Sequence, residues 1–172
     1  YCNYVDLNLD VFGKSPDNWL SGNVIQSYIG YSQDSEIRRN SASGGVTTSI
    51  LVNLLESGKI KGAICVRTGQ KVPYVSEPVI ATTSEEIRLC AQSVYSLTPT
   101  NKILGELPNV NGPLAFVGLP DQVASIRKLQ SLGNDVSKDK RNRLFINFLT
   151  RIPFHENRIS NNCLRFKIYN DK

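Results

Sequence analysis

Small hydroxylated residues and glycines crowd one short stretch of the chain, NSASGGVTT, at residues 40–48. A helix pattern, SILVNLLESG, begins immediately after it. One hydroxyl group would be enough to cap that helix by accepting a hydrogen bond from a free backbone N–H. The stretch holds more polar groups than a cap requires. They are Ser41, Ser43, Thr47 and Thr48, beside the glycine pair Gly44 and Gly45.

This surplus would suit a bound anion. Backbone N–H groups at a helix start favour negative charge, hydroxyl groups add donors, and glycine lacks the Cβ atom that would keep a phosphate away. A helix capped by Ser41 or Ser43, with a tight glycine turn, explains the same residues without any ligand. Neither of two common phosphate-binding patterns, GxGxxG and GxxxxGKS/T, occurs in the sequence, so both interpretations stay open.

The elements around this stretch predict a strand–turn–helix–strand unit. Residues 23–32, NVIQSYIGYS, are rich in β-branched and aromatic residues, which is typical of a strand. Apolar residues then recur at helical spacing over 46–56, and Gly58 stops the helix. A short buried strand is predicted at 60–68. Two strands joined by one helix favour a parallel sheet.

A second unit follows further along the chain. Residues 113–118, PLAFVG, form the clearest buried strand, and apolar residues at helical spacing after the turn GLP predict another helix. Between the two units we predict a strand end at 78–82. A helix capped by Thr83 or Ser84 should follow it and run to about Gln92.

One more strand completes the predicted sheet. The residues LFINFL, at 144–149, are almost entirely apolar, as a strand in a parallel sheet covered on both faces must be. The predicted fold is therefore α/β, with a mostly parallel sheet flanked by helices. Its strand–turn–helix units place the turns NSASGG and GLP at the carboxyl ends of strands, where open parallel sheets bind ligands.

Composition and charge limit the classes of protein to consider. With 40% hydrophobic and 20% charged residues, the 172-residue chain is globular in character. It has no stretch of the ~20 apolar residues that a membrane span needs and no visible signal peptide, so we expect a cytoplasmic protein. The net charge of +5 is uneven, because residues 138–172 carry 9 Lys/Arg and 3 Asp/Glu. We divide the chain into a lead-in (1–22), an α/β domain (23–150) and a basic tail (151–172).

The cysteines and the histidine indicate no ready-made catalytic centre. Cys2, Cys65, Cys90 and Cys163 lack CxxC spacing, which argues against a metal site built from these four alone. Cys65 lies in the apolar run AICV and is predicted to be a buried strand residue. His155 is the only histidine, and no Ser–His–Asp arrangement can be built around it, so we assign no catalytic residue.

Three sequence blocks, taken together, resemble one family. The first is IGYSQDSEIRRNSASGGVTTSILVNLLESGKIKGAICVR, the second IATTSEEIRLCAQSVYSLTPTN and the third PLAFVGLPDQVASIRKLQ. They cover roughly residues 28–130 and are similar, in the same order, to the coenzyme F420 hydrogenase/dehydrogenase beta subunit family.

The resemblance implies an FAD-binding α/β domain of an oxidoreductase subunit, with an iron–sulfur cluster in the electron-transfer path. Such a flavoprotein would exchange electrons or hydride between a redox partner protein or subunit and coenzyme F420 or another acceptor. Position by position, it implies a set of cofactor-binding residues. They are Ser41, Ser43, Gly44, Gly45, Thr47 and Thr48 in the first block, Ser93, Tyr95 and Ser96 in the second, and Gly118 and Pro120 in the third.

The chain departs from the family pattern where a cluster ligand would be expected. Members usually have a cysteine after the glycine–x–proline turn, whereas this chain has Asp121. A carboxylate does not replace a thiolate at an iron–sulfur cluster. The cysteine-rich segment that often precedes this domain in the family would survive only as Cys2. We therefore predict no iron at the 118–122 turn and assign no metal ligands.

Two other functions stay open. Asp121 favours a non-catalytic, truncated remnant of the family, linked to polysaccharide biosynthesis as some relatives are. The positive charge of residues 138–172 would allow an acidic partner or a nucleic acid to bind there. That segment lacks the interleaved aromatic residues of a stacking platform, so nucleic-acid binding ranks last.

Overall fold

The computed structural model describes residues 9, 13–16, 18, 28–69, 72, 74–109, 112–131 and 144–148. The predictions for residues 151–172 and for most of the lead-in lie outside these ranges. The elements are, in chain order, α1 (Ser35–Asn40), α2 (Val46–Glu56), β1 (Gly62–Thr68), β2 (Ser76–Ala81), α3 (Ser84–Leu89), a 3₁₀ helix (Thr100–Asn109), β3 (Leu114–Val117), α4 (Pro120–Ser131) and β4 (Leu144–Phe148). No helix within the described ranges is long and apolar enough to cross a membrane.

The four strands form one sheet in the order β2–β1–β3–β4. β1 and β2 are antiparallel, with Ala63 opposite Ala81. β1 and β3 are parallel, and so are β3 and β4. Two of the three pairings are therefore parallel, and the predicted α/β fold with a mostly parallel sheet is confirmed. The predicted strand at 144–149 is confirmed as β4.

Side chains alternate between two cores, one on each face of the sheet. The first core packs β1 against α1, α2 and α3 and contains Ile37, Ile50, Leu51, Val52, Leu54, Ile60, Ala63, Cys65, Ala81, Ile87 and Ala115. The second packs the sheet against the 3₁₀ helix and α4 and contains Ile64, Ile103, Leu114, Phe116, Val123 and Ile126. Ala63 and Ile64, neighbours in β1, thus belong to opposite cores. Because helices cover both faces, the central strands are apolar on both sides.

Local capping signals set the helix starts. The Asp34 carboxylate accepts hydrogen bonds from the N–H groups of Glu36 at 2.9 Å and Ile37 at 3.1 Å, which starts α1. Thr83 caps α3 by accepting a bond from the N–H of Glu86, whose carboxylate in turn accepts from the N–H of Thr83. This reciprocal capping box confirms Thr83 as one of the two predicted caps.

The predicted strand at residues 23–32 is wrong in the part that the structure describes. Residues 28–32 are not in a strand, and residues 23–27 lie outside the described ranges. The N–H of Ser32 instead donates a hydrogen bond to the Gly44 carbonyl at 2.6 Å. Contacts with the glycine turn therefore override the β propensity of this segment. As a consequence, the NSASGG turn joins α1 to α2 and does not follow a strand, whereas the GLP turn does follow β3.

Candidate cofactor site

Two consecutive glycines in left-handed conformations shape the turn between α1 and α2. Gly44 has φ +66° and Gly45 has φ +74°. A Cβ atom on Gly44 would lie 3.2 Å from Cβ of Tyr31, and one on Gly45 would lie 2.8 Å from Cγ2 of Ile37. The pair therefore lets the turn pack closely against α1 and the segment before it. Both glycines are required by this packing independently of any ligand.

The start of α2 has no side-chain cap. Its N-cap residue is Gly45, so the predicted capping by Ser41 or Ser43 is wrong. Ser41 instead ends α1, and its hydroxyl oxygen is buried without a hydrogen-bond partner. A Cβ atom on Gly45 would lie 3.1 Å from that oxygen, so the Ser41 hydroxyl faces the N-cap of α2. A buried hydroxyl without a partner is destabilising, and a bound polar group would relieve it.

The other hydroxyl groups of the stretch differ in exposure. Ser43 is exposed, Thr47 is half-buried and Thr48 is buried. The next residue, Ser49, was not predicted as a site residue, and it is also buried, donating a hydrogen bond to Ser32 Oγ at 2.6 Å. The stretch therefore presents Ser43 to solvent, while Thr48 and Ser49 belong to the protein interior.

An open cavity of about 520 Å³ is lined by side chains of the 31–39 segment, in which Tyr31 and Ser32 also approach Gly44 of the glycine turn. The guanidinium carbon of Arg38 lies 4.1 Å from the centroid of the Tyr31 ring, a geometry in which cation and ring attract each other. The cavity was not predicted from the sequence. The residues that line it fall in the first sequence block, and the adjacent Arg38 and Arg39 indicated a concentration of positive charge there. The cavity is lined by Tyr31, Ser32, Gln33, Ser35, Arg38 and Arg39.

The acidic and the basic side chains of α1 have different surroundings. The N–H of Ile37 holds the pKa of the Asp34 carboxyl below its usual value, and the nearby Arg88 of α3 adds to this effect. The Arg88 guanidinium lies 3.0 Å from the Asp34 carboxylate and 3.8 Å from that of Glu36. The acidic residues at the start of α1 therefore face Arg88, while the basic residues of its last turn line the cavity.

A second polar group joins the other two sequence blocks. Ser96 Oγ donates a hydrogen bond to Ser76 Oγ at 2.6 Å, and Ser76 also shares a short hydrogen bond with the Thr98 hydroxyl. The Gln122 side-chain amide donates a hydrogen bond to the Thr98 carbonyl at 3.3 Å. Its oxygen accepts one from the backbone N–H of Leu119, in the 118–120 turn, at 2.9 Å. The structure therefore brings Ser96 of the second block close to the glycine–x–proline turn of the third.

The remaining predicted residues have separate surroundings. Gly118 packs closely against its surroundings, since a Cβ atom there would lie 2.9 Å from Gln122 Oε1. Pro120 is the first residue of α4, a position that suits proline. Ser93 and Tyr95 are exposed, and the relative accessibility of Tyr95 is 96%. The hydrogen bond from Ser96 to Ser76 was not predicted, because Ser76 lies on β2 and shares no motif with Ser96.

No metal centre is evident within the described ranges, where no three side chains of His, Cys, Asp or Glu come together as metal ligands would. Asp121 is exposed in the first turn of α4, where the helix dipole favours a negative charge. The aspartate thus has a structural explanation of its own. The absence of iron at this turn stays a prediction.

Residues 27–105 match the profile of the coenzyme F420 hydrogenase/dehydrogenase, beta subunit N-terminal region. Over these residues the chain has the sequence pattern of this family. The resemblance predicted from the sequence blocks is thereby confirmed, and the matched span contains the glycine turn, the arginine-lined cavity and Ser96.

The chain is similar to several curated proteins. It is 32% identical over 102 residues to the coenzyme F420 hydrogenase subunit beta of Methanothermobacter thermautotrophicus, which covers 58% of this chain and 36% of that protein. The subunit of the same name from Methanosarcina barkeri is 32% identical over 111 residues, 63% of this chain and 38% of its own length. The coenzyme F420-dependent sulfite reductase of Methanocaldococcus jannaschii is 36% identical over 89 residues, which cover 51% of this chain and 14% of that protein. The chain thus spans less than two fifths of these relatives.

A solved structure has a similar fold. A chain in the xenon-derivatised F420-reducing NiFe hydrogenase complex from Methanosarcina barkeri superposes on this protein with a TM-score of 0.60 and 28% sequence identity. The superposition covers 70% of this chain and 43% of the other. The α/β architecture is therefore shared with a chain of a redox complex.

Proposed function

We propose that this chain is the FAD-binding part of a cytoplasmic oxidoreductase subunit, which works with a redox partner protein or subunit. In this proposal it passes electrons or hydride between that partner and coenzyme F420 or another acceptor. The observation that carries the proposal is the buried, partnerless Ser41 hydroxyl facing the uncapped start of α2. The family whose profile residues 27–105 match supports the redox role.

The residues around the glycine turn fit the anionic pyrophosphate of FAD. The first N–H groups of an α-helix have no partner within the helix, and the α2 start lacks a side-chain cap, so these donors suit a phosphate. Ser41, Ser43 and the half-buried Thr47 would add hydroxyl donors. Arg38 and Arg39 would add the positive charge. FAD, when bound, supplies the hydride chemistry, while these residues supply binding and orientation.

We assign the second polar group and the exposed aromatic residue beside it to the same cofactor or to its acceptor. Ser96 lies next to the 118–120 turn through Ser76, Thr98 and Gln122. The exposed ring of Tyr95 offers a face on which a flavin or deazaflavin ring would stack. Residues 23–150 would form the flavin-binding unit.

A binding titration tests the proposal. Purified protein is titrated with FAD and, separately, with riboflavin, which lacks the phosphates, and binding is followed by flavin fluorescence. We expect FAD to bind at least tenfold more tightly. Arg38→Gln and Arg39→Gln should each weaken FAD binding roughly ten- to hundredfold, since a hydrogen bond to a charged group contributes about 1.5–3 kcal/mol. Riboflavin binding should change little.

A matched charge control comes from the other end of α2. Lys59 is exposed beyond the C-terminus of this helix, roughly 16 Å from its start at a rise of about 1.5 Å per residue. Lys59→Gln should leave FAD binding unchanged. A folded protein that takes up neither flavin, or arginine variants that bind FAD as the wild type does, would contradict the proposed site.

A second candidate function is favoured by Asp121. An exposed aspartate at the position of a usual cluster ligand is compatible with a chain that keeps the fold and has lost redox activity. The same titration separates the two functions, because the remnant would bind no FAD at any concentration that preserves the fold. Circular dichroism of the titrated sample establishes that the fold is intact.

A further inference from the structure

Two cysteines that are far apart in the sequence meet in the first core. Cys65 lies in the middle of β1, opposite Val79 of β2, and is 4% exposed. Cys90 follows the last residue of α3 and packs against the same cluster of buried side chains while keeping partial contact with solvent. Each thiol is the main cause of the pKa shift of the other, as expected of two side chains that lie close together. Neither cysteine is part of a disulfide in the structure.

The two thiols are chemically unequal. The neighbouring Cys65 thiol lowers the pKa of the Cys90 thiol, and the positive charge of Arg67 acts in the same direction, against burial and Glu86. The Cys90 thiol and burial both raise the pKa of Cys65. The thiolate, which is the reactive form, therefore develops first on Cys90, the thiol that solvent reaches.

We propose that Cys65 and Cys90 form a redox-active dithiol that closes to an intramolecular disulfide by exchange with a low-molecular-weight disulfide. In the first step the Cys90 thiolate attacks one sulfur of the small disulfide, forming a mixed disulfide and releasing one small thiolate. That thiolate takes up the proton of Cys65. The Cys65 thiolate then attacks the Cys90 sulfur, and the second small thiolate leaves. The protein loses two electrons and two protons, and the small disulfide becomes two thiols.

The position of the pair gives the disulfide a structural consequence. It would tie the centre of β1 to the end of α3, directly before the segment that carries Ser93, Tyr95 and Ser96. The chain turns sharply there, since Gln92 has φ +104°. A covalent link at Cys90 would restrict the start of this segment, and the reduced form would leave it held by non-covalent contacts alone.

Trypsin makes the test specific, because each cysteine falls in a different peptide. Cys65 lies in 62–67 and Cys90 in 89–102, whereas Cys2 and Cys163 lie in 1–14 and 159–165. The native protein is equilibrated with mixtures of reduced and oxidised glutathione, remaining thiols are blocked with N-ethylmaleimide, and the peptides are analysed by mass spectrometry. We expect a linked 62–67/89–102 peptide whose yield rises with the oxidised fraction. In the reduced protein N-ethylmaleimide should label Cys90 at least tenfold faster than Cys65.

Two variants keep the result decisive. The double variant Cys2→Ser/Cys163→Ser should form the linked peptide in full yield. Cys90→Ser keeps a hydroxyl in place of the thiol and should leave Cys65 unoxidised in a folded protein. The proposal is overturned if both peptides remain alkylated under the most oxidising mixture. It is equally overturned if Cys90 stops as a glutathione adduct or if Cys90 links mainly to Cys2 or Cys163.

Discussion

Ser49 Oγ donates a hydrogen bond to Ser32 Oγ at 2.6 Å, and both side chains are buried. This bond ties the segment before α1 to the first turn of α2 and so fixes these two parts of the chain next to the NSASGG turn. The backbone bond from Ser32 N–H to the Gly44 carbonyl strengthens the same connection. The shape of the candidate site therefore depends on a polar contact between residues that no sequence motif connects.

Breaking this contact from one side should destabilise the protein. In Ser49→Ala the buried Ser32 hydroxyl loses its partner, and we expect the free energy of unfolding to fall by about 1–2 kcal/mol in urea titrations. Ser32→Ala/Ser49→Ala should cost less than the sum of the single changes, because no hydroxyl is left unpaired. Ser43→Ala, an exposed control in the same stretch, should change stability by less than ~0.5 kcal/mol. A strictly additive double variant would show that the two hydroxyls are not coupled.

Substitution of Gly45 should affect folding before it affects any ligand. Gly45→Ala places a Cβ atom 2.8 Å from Cγ2 of Ile37 at φ +74°, whereas Gly58→Ala at φ +69° meets nothing within 4 Å. Gly58→Ala should therefore show only the left-handed penalty of roughly 1–2 kcal/mol. We expect Gly45→Ala to exceed it by at least ~1 kcal/mol through steric overlap. Equal losses of stability in chemical denaturation would mean that the turn yields to the added atom.

The hydrogen bond from the Ile37 N–H to Asp34, together with the Asp34–Arg88 pair, should give stability a defined pH dependence. The pKa of Asp34 is lowered in the folded state, so its contribution is present above its unfolded pKa of about 3.9 and disappears as the pH falls through the folded value. Asp34→Asn keeps an N-cap side chain but removes the charge that faces Arg88. We expect it to be less stable than the wild type by about 0.5 kcal/mol at pH 7, with the difference vanishing at acidic pH. A difference that persists unchanged at pH 2 would contradict the ionic origin.

The capping box of α3 should respond to the loss of either member. Thr83→Ala removes the acceptor for the Glu86 N–H, and a lost N-cap lowers stability by about 1 kcal/mol. Thr83→Ser retains the hydroxyl and serves as the control. The pKa of Glu86 is lowered, first by the N–H of Thr82, so its contribution is present above the unfolded pKa and is lost as the pH falls through the folded pKa. Thermal unfolding of Glu86→Gln and wild type should therefore converge at low pH.

Much of the secondary structure could be predicted from local signals. Helical periodicity and Gly58 gave the extent of α2, Thr83 and Glu86 gave the start of α3, and an unbroken apolar run gave β3. These signals lie within a few residues of the feature that they determine. They can therefore be recognised without knowledge of the tertiary structure. The segment at 28–32 shows the limit, because its β-branched and aromatic composition predicted a strand that its bonds to the glycine turn prevent.

The sequence by itself predicted that α2, α3 and α4 form and which turns collect small polar residues, but it did not predict α1, and α3 ends at Leu89 and not near Gln92. Only the tertiary structure decided that β2 lies at an edge, that Arg38 and Arg39 line the cavity of the 31–39 segment, and that Cys65 meets Cys90. The physical reason is distance along the chain. Contacts between residues far apart in sequence form when the sheet closes and the helices pack on it, and the free energy of that closure is shared by the whole core. No single stretch of residues therefore predicts these contacts.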